Sequence, residues 1–136
     1  LGQAFLQNHQ ALKPGGEFVA SFFGWHSLRE LFECLVAAGA HDFFPRRLPA
    51  IQDVEQALRA SRFQIRELYS EMIRFDFHDM WQLLVWLKRI GANALPRKGY
   101  VGKTIMMKAN QYYYEHFKTP AGIAVTFELI WLEAYK

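Results

Sequence analysis

Lys13-Pro14-Gly15-Gly16 divides the start of this chain into a helix and a strand. Pro cannot continue a helix and Gly accepts positive φ, so these four residues stop the helix that precedes them. In that helix Ala4, Phe5, Leu6, His9 and Leu12 recur at spacings of one, three and four, an amphipathic pattern. Beyond the stop, Glu17 to Phe23 reads as a strand. It is nearly continuous in small or apolar residues, as expected when both faces are covered in a parallel sheet. Gly24-Trp25-His26 is the turn out. Ser27 with Glu30 three residues later matches a helix capping box. Leu28, Leu31, Phe32, Leu35 and Val36 form the next helical face, and Gly39 is placed to end it. Helix, strand and helix in this order suit an α/β layer architecture.

Composition narrows the class. A length of 136 residues is the size of one domain. Hydrophobic residues make up 51%, which excludes intrinsic disorder. Cys34 stands alone, so no internal disulfide staples the chain. No apolar run approaches the ~20 residues needed to span a bilayer. The formal charge is +3, and the basic residues are scattered in pairs such as Arg46-Arg47, Lys88-Arg89 and Arg97-Lys98. That is an ordinary solvated surface, not the concentrated basic face of a nucleic-acid domain. Residues 1–12 lack the basic start and long apolar core of a signal peptide, so the expected location is the cytoplasm. The chain enters a helix at once from Leu1, and we read it as a piece of a longer protein.

The remaining elements follow the same logic. Residues 42–49 read as a loop, and Ile51, Val54 and Leu58 predict a helix over about 50–60. Phe63, Ile65 and the run from Tyr69 to Phe77 favour extended structure, with a bulge or break expected near Ser70. Met80, Leu83, Leu84, Leu87 and Ile90 make a helical stripe ended by Gly91. Residues 92–102 read as loop. Ile105, Ala109, Tyr112 and His116 mark a further helix. The last strand, Gly122 to Leu132, is expected to set Val125, Phe127, Leu129 and Trp131 on one face. Three strands make a poor independent sheet, and the first would need parallel neighbours from upstream.

Several tempting motifs dissolve on inspection. Gly102-Lys103-Thr104 lacks the glycine a phosphate loop needs five positions earlier, where Arg97 stands. No dinucleotide fingerprint is present. The five histidines have no close ligand spacing, and no metal is expected. Tyr112-Tyr113-Tyr114 spreads around ~200° of a helix, so two can be core while one lines a pocket.

Leu12-Lys13-Pro14-Gly15-Gly16 before a buried strand resembles the late half of a class I S-adenosylmethionine-dependent methyltransferase. Further segments lie in order along the chain: Phe22-Phe23-Gly24 with Ser27-Leu28-x-Glu30-Leu31, then Leu48-Pro49 with Leu58, and Leu87-Lys88-x-x-Gly91-Ala92-Asn93. Thr126-Phe127-Glu128-x-Ile130-Trp131 with Ala134-Tyr135-Lys136 closes the series. Together they resemble the malonyl-acyl carrier protein O-methyltransferases of biotin synthesis.

The resemblance implies the C-terminal half of one Rossmann-like α/β domain. Residues 12–23, 63–77 and 123–132 would supply strands five to seven of a seven-stranded sheet whose last strand is antiparallel. The helices of about 79–118 would be an inserted lid that excludes water from the substrate. The glycine-rich cofactor loop and the acidic ribose ligand would lie upstream, so these residues alone are expected to be inactive and prone to self-association. The implied reaction methylates the free malonyl carboxylate, already ionised at neutral pH, so no general base is needed. It needs in-line positioning and a cation. Lys88 ranks first because it lies in the family segment, with Arg89, Arg97 and Lys103 behind it; its other reading is a helix-end Lys favoured by the dipole. Trp81 and Tyr112 are candidates for the acyl site. Phe23 and Gly24, at the carboxyl end of the fifth strand, lie where open sheets bind ligands and are the cofactor candidates. An acidic acyl carrier protein would dock on Arg46, Arg47, Arg97 and Lys98. Two other readings stay open: a related methyltransferase for another small acid or a protein side chain, and a non-catalytic interaction module.

Overall fold

Local chemistry sets most of the element boundaries. The computed structural model describes residues 1–40, 48–92 and 101–136. The elements are α1 (Gly2–Ala11), β1 (Glu17–Phe23), α2 (Arg29–Ala37), α3 (Ile51–Ala60), β2 (Gln64–Phe77), α4 (Met80–Arg89), α5 (Lys103–Phe117), β3 (Lys118–Thr119) and β4 (Gly122–Tyr135). The sheet order is β1-β4-β2, with β3 paired to β4. The described residues fall into two compact units.

The first unit comprises residues 1–27, 48–73 and 128–136. The Pro-Gly-Gly stop works as read, with Leu12 already extended and Gly15 at φ +75°. Its polar groups are met by the last residue. Gly15 N–H donates to Lys136 O at 3.2 Å, and Lys136 Nζ donates to Leu12 O at 2.7 Å. β1 has the expected bounds but not the expected surroundings. It runs antiparallel to β4, from Glu17 opposite Tyr135 to Phe23 opposite Leu129. Among the described residues its other edge meets no strand. The Phe18, Ala20, Phe22 face is half-buried, whereas on the other face Glu17, Val19 and Ser21 are exposed, Val19 at 67%, and Phe23 alone is half-buried. The covered parallel strand is therefore corrected to an antiparallel edge strand with one bare face.

That half-buried face packs on a core of Phe5, Val54, Leu58, Phe63, Ile130, Leu132 and Ala134. Phe18 stacks on Phe63 with centroids 5.3 Å apart and meets Phe5 edge-on at 5.9 Å. Each such side chain contributes about 1.5–3 kcal/mol by leaving water. α3 begins with the Asp53 carboxylate accepting the Ala50 N–H at 3.1 Å. It ends in a Schellman motif, Phe63 N–H to Leu58 O at 3.1 Å, with Arg62 holding the left-handed position at φ +65°. β2 is one strand and is not broken at Ser70. Ile65 and Leu68 nevertheless reach the same core although three residues apart, which a regular two-residue alternation cannot do.

The second unit takes the remaining described residues. α2 buries Leu31, Cys34, Leu35 and Glu30. The capping box expected at its start does not form. Leu28 is the cap, left-handed at φ +61°, and no side chain bonds to it. Glu30 instead accepts the Thr126 N–H at 3.0 Å and the Thr126 hydroxyl. Gly39, at φ +99°, closes the helix, with Ala40 N–H on Leu35 O at 2.9 Å. α4 turns Met80, Leu83 and Leu87 inward, while Ile90 is left 46% exposed. Tyr113 of α5 is fully buried and donates its hydroxyl to Ala124 O at 2.9 Å. In β4, Ile123 to Phe127 are buried on both faces. Farther along, in the first unit, Ile130, Leu132 and Ala134 are buried and Leu129 and Trp131 only half so. Val125, Phe127, Leu129 and Trp131 share one face by the alternation of a single strand, but burial does not follow that face: the strand is covered on both sides at one end, and the opposite face is the better buried at the other.

Candidate functional site

In the first unit, three parts of the chain converge on one carboxylate. β4 supplies Glu128, 4% exposed. The turn after β1 wraps around it. Gly24 N–H donates to Glu128 O at 2.8 Å. Ser27 Oγ accepts the Glu128 N–H at 2.9 Å and donates to its carbonyl at 3.1 Å. The His26 backbone N–H reaches Oε2 at 2.9 Å, and its Nδ1 lies 2.9 Å from the same oxygen. The Ser70 side chain of β2 bonds to the carboxylate as well. Burial pushes the Glu128 pKa up, but the His26 N–H, the His26 ring and Ser70 more than reverse this, holding it below the usual carboxylate value. Gly24 is required here, because a Cβ would sit 2.5 Å from the Glu128 carboxyl carbon. Sequence reading quoted His26 and Glu128 only as parts of a turn and a strand. No spacing joins residues 102 apart.

The second unit carries the residues expected to hold substrate. Trp81, Lys103, Thr104, Met107, Lys108, Asn110 and Gln111 line an open depression of about 710 Å³. Of the expected set, Trp81 and Lys103 are brought together there. Lys88 and Arg89 are exposed in the last turn of α4 and do not line it. Trp81, Val85 and Lys88 do share a helical face, by their spacing of four and three. Val85 is 50% exposed and Trp81 45%. Tyr112 turns elsewhere: its hydroxyl donates to Glu33 Oε1 at 3.3 Å, and its ring stacks on His116 at 3.8 Å. Tyr113 is core, and Tyr114 is 38% exposed beneath the Lys118 ammonium. Met107, Lys108 and Asn110 were not singled out in the sequence; exposed Met107 and a Lys on α5 give no motif. Arg46, Arg47, Asn93, Arg97 and Lys98 lie outside the described residues. Among the described residues no group of three His, Cys, Asp or Glu could hold a metal, and no helix is long and apolar enough to cross a membrane.

Known proteins with two different named activities are similar to this chain. No family model matches. The chain is 30% identical to "Arginine-hydroxylase NDUFAF5, mitochondrial" of Dictyostelium discoideum over 89% of its length, covering 30% of that protein. It is 28% identical to the malonyl-[acyl-carrier protein] O-methyltransferase of Nitrosospira multiformis over 100% of its length, covering 45% of that protein. A solved methyltransferase structure from Bacillus halodurans aligns with a TM-score of 0.57 and 15% identity, over 99% of this chain and 62% of that one. The chain is related to the class I S-adenosylmethionine-dependent methyltransferases.

The fold is consistent with a class I methyltransferase-like fold, and β4 is antiparallel to β1. The chain spans less than half the length of these curated relatives. Phe23 and Gly24 stand at the carboxyl end of β1, where the cofactor of a class I methyltransferase is expected. Among the described residues, those around Gly24 leave no cradle for it directly over that glycine. The space over Gly24 is filled by Glu128, its N–H is taken by Glu128 O, and the carboxylate is engaged by His26 and Ser70.

Proposed function

We propose that this chain is part of an S-adenosylmethionine-dependent O-methyltransferase that esterifies the free carboxylate of malonyl-acyl carrier protein in biotin synthesis. The observation that supports this is the exposed face of α4. Trp81 and Val85 offer an apolar track for an acyl thioester, and Lys88, seven residues and ~10 Å along the axis from Trp81, offers a cation at its end. Relatives named for the same reaction add weight. Lys88 acts as a point charge that selects an ionised carboxylate without a bidentate grip that would quench it. Arg89 and Lys103 extend the positive field, Trp81 lies along the acyl chain, and Tyr112 steadies α5 against α2. The helices α4 and α5 act as a cover that excludes water. Phe23 and Gly24 border the cofactor, whose nucleoside is held by residues outside this chain. The open edge of β1 takes a parallel neighbour from an upstream half. Arg46, Arg47, Arg97 and Lys98 receive the acidic carrier protein, and the setting is cytoplasmic. The test is methyl transfer by the complete protein to malonyl-carrier protein and to free malonate. Ester formed on the carrier-bound substrate and lost in Lys88→Glu is expected; no ester on either acid overturns the reading.

A second reading rests on the relatives named arginine-hydroxylase, which match at 26–30% identity. In it the same scaffold acts on an arginine of a protein partner. Hydroxylated arginine in a co-expressed partner, with no carboxylate ester, would favour it.

A further inference from the structure

The methyl-transfer reading leaves His26 and Glu128 unused. Their arrangement is directional. The Glu128 side chain is 5% exposed and that of His26 is 55% exposed, so a buried acceptor stands behind an accessible ring. An ionised carboxylate only accepts hydrogen bonds, so a neutral His26 must carry its proton on Nδ1 to make the 2.9 Å contact. The lone pair is then on Nε2. The backbone adds precision. His26 N–H holds the same Oε2, while Gly24 and Ser27 clasp the Glu128 main chain on either side, so the ring is tied to β4. All this lies at the carboxyl end of β1, the end at which open α/β sheets take their ligands.

We propose that His26 accepts a proton from an O–H or N–H group of a ligand bound at the carboxyl end of β1, with Glu128 as the positioning residue that sets its tautomer. The Nε2 lone pair takes the proton. The ligand's O–H or N–H bond breaks, and its electron pair stays on the oxygen or nitrogen. The imidazolium that results keeps its Nδ1 proton on Glu128, whose charge offsets the new one. A carboxylate arrives ionised and has no proton to give. The ligand class is therefore a weakly acidic protic group, an alcohol, amine or guanidinium. This goes beyond the carboxylate reading and stands or falls separately from it.

Two measurements on the complete protein test the proposal without turnover. Long-range proton–nitrogen spectra of the histidine rings, at about pH 8 where histidine is neutral, should show Nδ1–H and a bare Nε2 at His26. An Nε2–H tautomer overturns the proposal by itself, whatever any variant does. Diethyl pyrocarbonate, an electrophile for the bare ring nitrogen, should then label His26 several-fold faster than in Glu128→Gln, because the carboxylate that holds the Nδ1 proton makes Nε2 the better nucleophile. Equal labelling in a variant that keeps a folded spectrum, or no labelling of His26 in the parent chain, overturns it too.

Discussion

His26 meets Glu128 twice, through its backbone N–H and through its ring, and both contacts end on the same carboxylate oxygen at 2.9 Å. Removing that oxygen leaves the part-buried His26 backbone N–H without its acceptor, while the exposed His26 ring and Ser70 turn to water. Glu128→Ala should therefore cost about 1–3 kcal/mol, read as a lower midpoint in urea. The sign with pH follows from the depressed pKa. The unfolded chain binds the proton at the ordinary value near ~4.3, and the folded chain only below it. The stabilisation is thus fully present above that value and lost as pH falls through the folded one. Glu128→Gln should flatten this part of the acid limb; an unchanged slope below about pH 4 in the variant would refute the assignment.

The same pair shows what a sequence hides. Pro14, Gly15, Gly39 and Gly91 act within a turn of themselves, and the stops they imply are where the helices end. Ser27 and Glu30 carry an equally clear local signal, yet it loses to the chain's end. β4 brings the Thr126 and Glu128 main chains to them, and a partner 96 or 101 residues away leaves no trace in local spacing. Which parts of β4 are buried was not legible, because alternation carries information on burial only when one face is wet. Between Ile123 and Phe127 neither is. The depression beside Trp81 was half legible, since Trp81 and Lys103 stood out by type while Asn110 did not.

Among the described glycines, Gly122 has the least room for change. It sits at φ +142°, and a Cβ there would press on the carbonyl oxygens of Phe77 and His78, backbone atoms that cannot swing aside. Gly122→Ala should destabilise the chain by about 2–3 kcal/mol, combining overpacking with backbone strain. Gly2→Ala, whose Cβ meets nothing within 4 Å, is the matched control. Equal thermal midpoints for the two would show that the approach to Phe77 is relaxed in solution.

Arg62 offers the opposite sign. It ends α3 in a left-handed conformation that suits glycine, and its residue is exposed. Arg62→Gly removes the Cβ penalty of that conformation, worth ~1 kcal/mol, against a loss of unfolded-state restriction of similar kind. We expect a small net gain in the urea midpoint, whereas Arg62→Val should lower it. A gain for Val would contradict the conformation.

Cys34 should be chemically silent while the chain is folded. It is fully buried on α2, and its thiol pKa is pushed up to about 12, first by burial and then by Glu33, with Glu30 adding to the effect. Thiolate is the reactive form, so both access and ionisation oppose attack. Reaction with a thiol reagent at neutral pH should proceed only through unfolding and speed up with urea. A fast, urea-independent reaction would mean that α2 opens locally.

The two faces of α4 should separate stability from binding. Leu83 is fully buried and Val85, two residues on, is half exposed. Leu83→Ala should cost about 2–5 kcal/mol, because the transfer energy and a residual cavity both count. Val85→Ala should fall within about 0.5 kcal/mol of the parent, as an exposed side chain away from special contacts does. If the outward track of Trp81, Val85 and Lys88 takes an acyl chain in the complete protein, Val85→Ala should still weaken acyl-thioester binding several-fold while leaving the melting curve in place. A melting shift as large as that of Leu83→Ala would show that this face is already covered by protein, and would leave no track for a ligand.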